Sequence, residues 1–218
     1  MSLERRIALL DWAARSGAYI LEVDYDSDFR YEGSLLPSLQ SLDRNGCVIY
    51  LNSFSRSLGP GLRLGYMVVP RDLLRAATTL KALIDNGSPW LGQATLAQFI
   101  RNGSLTSHLK RLRNTYQGRR DAVRSSLQKH FGEAAVTGDA GGTHMLWEVP
   151  GHCPPASELQ QLARGVGIGI HPLHSGTVLH GDSLPGFERR VLLGYVHLTP
   201  AQINEGFVRM ANALAKDR

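Results

Sequence analysis

The sequence predicts an α/β protein, on three observations. In the first hundred residues, short apolar runs alternate with helix-period segments. One helical pattern then continues unbroken from about Ser104 to Phe131. After Gly132 the pieces shorten, and strand and helix candidates alternate around many glycines.

The elements follow in order. Residues 3–16 read as a helix, with Leu3, Ile7, Leu10 and Ala14 on one face and Gly17 as its stop. AYILEVD (18–24) reads as a buried strand, followed by the acidic, aromatic DYDSDFRYEG. SLLPSLQSLDRNG reads as a loop, broken at Pro37 and Gly46. CVIYL (47–51) is a second strand and residues 63–69 a third. The return between these two is short, so 63–69 is expected antiparallel to its partner, all three strands in one sheet. Helices 3–16 and 71–86 are expected to pack on that sheet. A further helix spans 90–101, split from 71–86 by Asn86-Gly87-Ser88-Pro89.

In the long helix, Leu105, Leu109, Leu112, Tyr116, Val123, Leu127 and Phe131 keep helical spacing, and Lys110, Arg111, Arg113, Arg119, Arg120 and Arg124 take the other faces. Strands are then expected at 142–150, 166–172 and 190–198, and helices at 155–164 and 200–215. Thr199 as N-cap with Pro200 at the first helical position is a start signal. Residues 173–188 form a Gly/Ser/His loop with no period.

Composition is ordinary for a globular protein, 43% apolar and 20% charged over 218 residues. No apolar run reaches the roughly 18 residues that a membrane span needs. The N-terminus is amphipathic and mixed in charge, unlike a signal peptide, so the cytoplasm is the expected compartment. Cys47 and Cys153 are too few for a disulfide framework. The net charge of +5 admits a nucleic-acid partner. The bases are spread along the chain without a DNA-binding motif, so a solvated or partner-facing basic helix is the preferred reading.

Asn52 to Tyr66, NSFSRSLGPGLRLGY, carries the chemistry. Ser53, Ser55, Ser57, Gly59, Gly61 and Arg63 combine hydroxyl donors, closely approachable backbone N–H groups and a guanidinium fork. Those are the parts of an anion cradle. Other patterns fail on their chemistry. DYDSD (24–28) would need Gly and Glu at the sixth and twelfth positions of a calcium loop, where Phe29 and Leu35 stand. GVGIGIH (165–171) follows a helix rather than a strand and is read as structural. The eight histidines show neither HExxH nor zinc spacing.

SFSRSLGPGLRLGY resembles the cofactor-lysine segment of fold-type I pyridoxal-phosphate enzymes. It is most similar to that of the aminotransferase-like domain of MocR-type (GntR family) regulators, whose pattern reads roughly TFSK-x-L-x-P-x-LR-x-GY. RRIALLDWAARSGAYILEVDYDSDFRYEG resembles the family's RR-x-x-LL-x-WA...EDDYDSEFRY segment. LKRLRNTYQGRRDAV resembles its bridging helix, and YVHLTPAQINEGFVRMANAL its closing strand and helix.

The resemblance implies a type I pyridoxal-phosphate-dependent transferase fold. Residues 1–103 would be the rear part of a three-layer αβα large domain, and 104–218 the bridging helix and a small α+β domain. Tyr25 matches the tyrosine that hydrogen-bonds the cofactor's phenolic oxygen. Ser53 and Arg63 match phosphate-side positions, with Ser55 beside them. Arg189 or Arg190 lies near the place where the family holds a substrate carboxylate. Two positions depart. Arg56 stands at the imine-forming lysine, and a guanidinium that stays protonated cannot form an imine. Val23 stands at the aspartate that pairs with the pyridine nitrogen. Glu22 and Asp24 flank it on the opposite strand face, so neither simply substitutes.

The resemblance therefore implies pyridoxal 5'-phosphate as the cofactor, with covalent binding not expected. The implied role is the effector-sensing and dimerisation part of a MocR regulator, catalytically degenerate. A homodimer, a small-molecule amine or amino-acid effector, and DNA contact only through an N-terminal domain outside this chain are the implied partners, with no membrane. About half of the family's large domain precedes the segment that begins here, so the chain reads as a fragment. The alternatives are an active class I/II aminotransferase and a ligand-free interaction module.

Overall fold

The computed structural model describes residues 1–33, 37–132, 135–173 and 186–216. Residues 174–185 of the expected 173–188 loop, and residues 34–36 with Leu35, lie outside that description. The described residues form two compact units. Unit 1 comprises Met1–Asp28 and Gly33–Lys110, and unit 2 Phe29–Glu32 and Arg111–Arg218.

Unit 1 opens with helix α1 (Leu3–Ser16), capped by the Ser2 hydroxyl and ended by Gly17 in the left-handed region at φ 63. Strands β1 (Ile20–Asp24), β2 (Val48–Ser53) and β3 (Gly65–Val68) form one sheet in that order. The β1–β2 pair is parallel and the β2–β3 pair antiparallel, the direction expected from the short return. Even-numbered Ile20 and Val48 face α1, where Leu10, Ala13, Leu39 and Cys47 close a small core. On the opposite face, Ile49, Met67 and Val69 share a groove with Leu73 and Ala77 of α3 (Arg71–Asp85). Helices thus flank both sheet faces.

Three expectations for this unit need correction. β1 is not buried: Leu21 and Val23, on the face away from α1, are each 65% exposed. α3 shares the groove but buries none of its residues. The 34–46 segment is not wholly loop, because α2 (Leu39–Leu42) forms within it. The reason lies in its donors. The Glu22 carboxylate accepts from the backbone N–H groups of Leu39 and Gln40 at 2.8 and 2.9 Å, and the Ser38 hydroxyl accepts from Ser41. An acid at a helix N-terminus satisfies otherwise orphaned donors. α4 (Trp90–Arg101) completes the unit's helices before α5 (Ser104–Phe131) carries the chain into unit 2.

Unit 2 holds a four-stranded antiparallel sheet in the order β4 (Ala135–Thr137), β5 (His144–Glu148), β7 (Arg190–Gly194), β6 (His171–Pro172). Met145 and Trp147 of β5 pair with Leu193 and Val191 of β7, and all four are buried. The C-terminal part of α5, α6 (Ala156–Gly165) and α7 (Pro200–Lys216) complete this core through Leu127, Leu159 and Met210. Phe131 meets the Trp147 ring edge-on at 5.1 Å. Thr199 and Gln202 cap α7 reciprocally, each side chain accepting the other's backbone N–H.

The 166–172 strand shrinks to His171–Pro172. Gly167 at φ +77 ends α6, and the Ile168 N–H reaches back to the Ala163 carbonyl at 2.8 Å. The alternating glycines serve a helix C-cap before they serve a strand. β7 stops at Gly194, short of the expected 198. β4 has no counterpart among the expected strands.

Phe29–Glu32 belongs to unit 2 although its neighbours in sequence do not. The Tyr31 and Glu32 N–H groups donate to the Ala140 carbonyl, and Gly142 N–H donates to that of Phe29. Three of the bases of α5 are used internally. Arg119 donates to the Val196 carbonyl, Arg120 bonds Glu32 and the Asp139 carbonyl, and Arg124 pairs with Asp139 at 3.0 Å.

Candidate functional site

The cradle is built from the β2–β3 return. Its strands come closest where Ser53 pairs with Gly65, and a Cβ on Gly65 would lie 2.7 Å from the Asn52 carbonyl oxygen. Only glycine fits that approach. Beyond it the chain makes a turn closed by Leu58 N–H on the Phe54 carbonyl at 2.8 Å, then a 3-10 turn over Pro60–Leu62. Gly59 takes φ 113, which a side chain would oppose. Arg63 sits in the left-handed region at φ 51, a sparsely populated state for a non-glycine residue. From the first turns of α5, His108 Nε2 lies 2.7 Å from the Ser57 carbonyl oxygen and ties the turn down.

The candidate residues divide into clusters. The Arg56 guanidinium lies 5.9 Å over the Tyr25 ring, so the residue at the lysine position meets the tyrosine expected at the cofactor's phenolic oxygen. Ser53 and Ser55 form a second pair. Their hydroxyl oxygens are 2.9 Å apart, and Ser55 N–H donates to Ser53 Oγ at 3.1 Å. Arg63 lies at the far end of the return, in a recess with Phe54, Tyr66, Lys81 and Asp85. Ser57 leaves the expected set: it is buried, and its hydroxyl bonds the Phe54 carbonyl.

The acids flanking Val23 are committed elsewhere. Glu22 caps α2 and lies 3.5 Å from Arg6. Asp24 accepts from the Ser27 hydroxyl and N–H and from the Tyr50 phenol at 2.7 Å. Asn52 donates to the same phenol. Burial pushes the Tyr50 phenol's pKa up, and the Asp24 carboxylate adds to the shift. This Asp24–Tyr50–Asn52 network was missed in the sequence. Its signal is the parallel register that sets Asp24 beside Asn52 and Glu22 beside Tyr50.

In unit 2 the two arginine candidates separate. Arg189 donates to the carbonyls of Val149, Pro150 and Cys153, which fixes the turn after β5. Arg190 lies 5.7 Å over the Phe187 ring.

The implied cofactor can be weighed against these residues by their chemistry. A phenol at Tyr25, the serine pair and the Arg63 guanidinium are donors of the kinds that a pyridine ring's substituents and a phosphate accept, though they stand in separate clusters. Arg56 and Val23 do not suit a ring held as an imine with a protonated nitrogen, and no chemical step through such a group is derived for this chain. Among the described residues, no group of three or more His, Cys, Asp or Glu could hold a metal ion, and no helix is long and apolar enough to cross a membrane.

Comparison with known proteins gives the lineage. The uncharacterized HTH-type transcriptional regulator YdeL of Bacillus subtilis is 35% identical over 215 residues, covering 98% of this chain and 45% of YdeL. The probable rhizopine catabolism regulatory protein MocR of Rhizobium meliloti is 32% identical over 216 residues, 98% of this chain and 42% of that protein. The chain thus spans somewhat under half the length of these curated relatives. Among solved structures, the α-aminoadipate aminotransferase LysN of Thermus thermophilus, complexed with N-(5'-phosphopyridoxyl)-L-leucine, superposes with a TM-score of 0.82 at 28% identity. That match covers 99% of this chain and 55% of LysN. The family model for aminotransferase class I and II matches residues 18–170, most of the chain, and the chain belongs to that family.

Proposed function

We propose that this chain is the effector-sensing and dimerisation part of a MocR-type transcriptional regulator whose cofactor site holds its ligand without an imine. The observation that carries the reading is Arg56 on the Tyr25 ring. A permanent guanidinium occupies the place where a reactive amine would be needed. The regulator relatives, similar along nearly the whole chain, support the class. Residues 1–103 would be the rear of the large domain, and 104–218 the bridging helix and small domain. Tyr25, Ser53, Ser55, Arg56 and Arg63 would hold pyridoxal phosphate non-covalently. Arg190 would meet the carboxylate of an amino-acid effector, since the Arg189 guanidinium is already bound to three carbonyls. DNA would be reached only through a separate N-terminal domain, and the working compartment would be the cytoplasm.

A spectral titration with pyridoxal phosphate, followed by borohydride and mass spectrometry, tests this. The expected result is binding without a reduced pyridoxyl adduct on any of the four lysines, Lys81, Lys110, Lys129 and Lys216. An adduct on a lysine in the site, or turnover of any amino acid, restores the aminotransferase alternative that the likeness to LysN supports.

Self-association belongs to the same proposal. Among the described residues, all the exposed large apolar side chains except Leu192 and Leu198 lie in unit 1. Monomers rarely leave apolar patches beyond a few hundred Å² uncovered. Light scattering is expected to report at least a dimer, and a clean monomer at tens of micromolar would count against it.

A further inference from the structure

We infer that the Tyr25–Arg56 site selects a planar aromatic ring bearing a carboxylate where pyridoxal bears its aldehyde. The inference rests on the cofactor-site reading above and narrows it to a ligand class.

Arg56 is exposed, and among the described residues its guanidinium has one recorded contact, the face of Tyr25 at 5.9 Å. Its five N–H donors are therefore open to a ligand. The contrast with Arg119, Arg120 and Arg189 is direct, because each of these is bound to carbonyls or carboxylates. Neither acid beside Val23 neutralises Arg56: Glu22 is bound at the α2 N-terminus, and Asp24 between Ser27 and Tyr50.

A guanidinium discriminates among the substituents that a ring could present. A carboxylate accepts two parallel N–H bonds and cancels the charge. An aldehyde accepts through one neutral oxygen. An ammonium accepts nothing and is repelled. Val23 acts in the same direction. The resemblance puts an aspartate there to stabilise a positive ring nitrogen, and a valine offers no such charge. Both substitutions therefore move the site toward ligands that are neutral in the ring and negative in the substituent. At the serine pair, Ser53 donates to Ser55 at 2.9 Å, which leaves the Ser55 hydroxyl proton for an acceptor on the ligand.

Isothermal titration of the full 218-residue chain with three probes tests this. The probes are pyridoxal 5'-phosphate, pyridoxamine 5'-phosphate and 4-pyridoxic acid 5'-phosphate, which differ only in the substituent facing Arg56. The acid is expected to bind tightest, about tenfold or more above the amine, the usual scale of one charge-assisted fork. Arg56→Gln, at an exposed position, is expected to level the three affinities while binding persists. Arg56→Lys is expected to shift preference to the aldehyde, with an adduct that borohydride traps. Equal affinities for the unmutated chain, a preference for the amine, or a preference for the acid that survives Arg56→Gln overturns the inference and leaves the cofactor site standing. Failure of all three probes to bind overturns both.

Discussion

Replacing Arg120 by alanine tests how unit 2 holds its detached segment. Arg120 is 3% exposed, with its guanidinium 2.6 Å from Glu32, 2.7 Å from Asp121 and 2.9 Å from the Asp139 carbonyl oxygen. It also lies 5.3 Å over the Tyr31 ring. Glu32 and Asp121 are 55% and 54% exposed, so on release they rehydrate. Each such pair is worth about 0–1 kcal/mol. The carbonyl bond and the ring contact add about 1 kcal/mol each, and loss of the buried stem adds a cavity. The expected cost is about 2–4 kcal/mol, a fall of about 1–2 M in the urea midpoint at ordinary slopes. Trp147 is fully buried in unit 2, whereas Trp12 and Trp90 of unit 1 are 52% and 77% exposed. With those two replaced by phenylalanine, Trp147 fluorescence reports unit 2 alone. Arg124→Ala is the control, because Arg124 is 47% exposed and its loss is expected to cost under about 1 kcal/mol. If Arg120→Ala costs no more than Arg124→Ala, the segment is not held by this arginine.

Two further perturbations address unit 1. Asp43 is partly desolvated, which alone would raise its pKa, but the N–H groups of Asn45, Val48 and Cys47 bind its carboxylate and hold the pKa below the ordinary value. A depressed carboxylate stabilises above its unfolded pKa of about 3.9 and loses that contribution as pH falls through the folded value. Asp43→Asn is therefore expected to cost about 1–2 kcal/mol at neutral pH and to flatten the fall in stability below about pH 4, read from acid titration of the circular dichroism. Gly65→Ala places a methyl 2.7 Å from the Asn52 carbonyl oxygen and forces the return apart. It is expected to destabilise unit 1 by about 1–3 kcal/mol, and an unchanged thermal midpoint would refute the close approach.

The sequence revealed most where its punctuation was unambiguous. The ends of α5 were readable because Gly103 and Gly132 bracket it, both at positive φ. The two departures from the resembled pattern, Arg56 in the cradle and Val23 on β1, were visible from residue identity alone. Registers and diagonals were less legible. Nothing in DYDSDFRY marks that Asp24 bonds Tyr50, or that Phe29–Glu32 pairs with the 139–142 turn of unit 2. The exposure of β1 was unreadable for a different reason: an apolar run predicts that a face wants cover, not that cover is present.

That distinction bears on function. Among the described residues, unit 2 closes a core of eighteen buried apolar side chains, whereas the core of unit 1 has five. The β1 face that carries exposed Leu21 also carries Val23, the ligand-edge position in the proposed site. Any surface that covers Leu21 therefore approaches Val23 as well. Ligand and cover then act on one face, and a ligand that binds only the covered state stabilises it by mass action. Effector sensing of this kind requires no bond to be made or broken in the ligand. In the proposed reading it requires only a site whose occupancy and whose shielding from water are coupled, and a permanent guanidinium at position 56 is compatible with that.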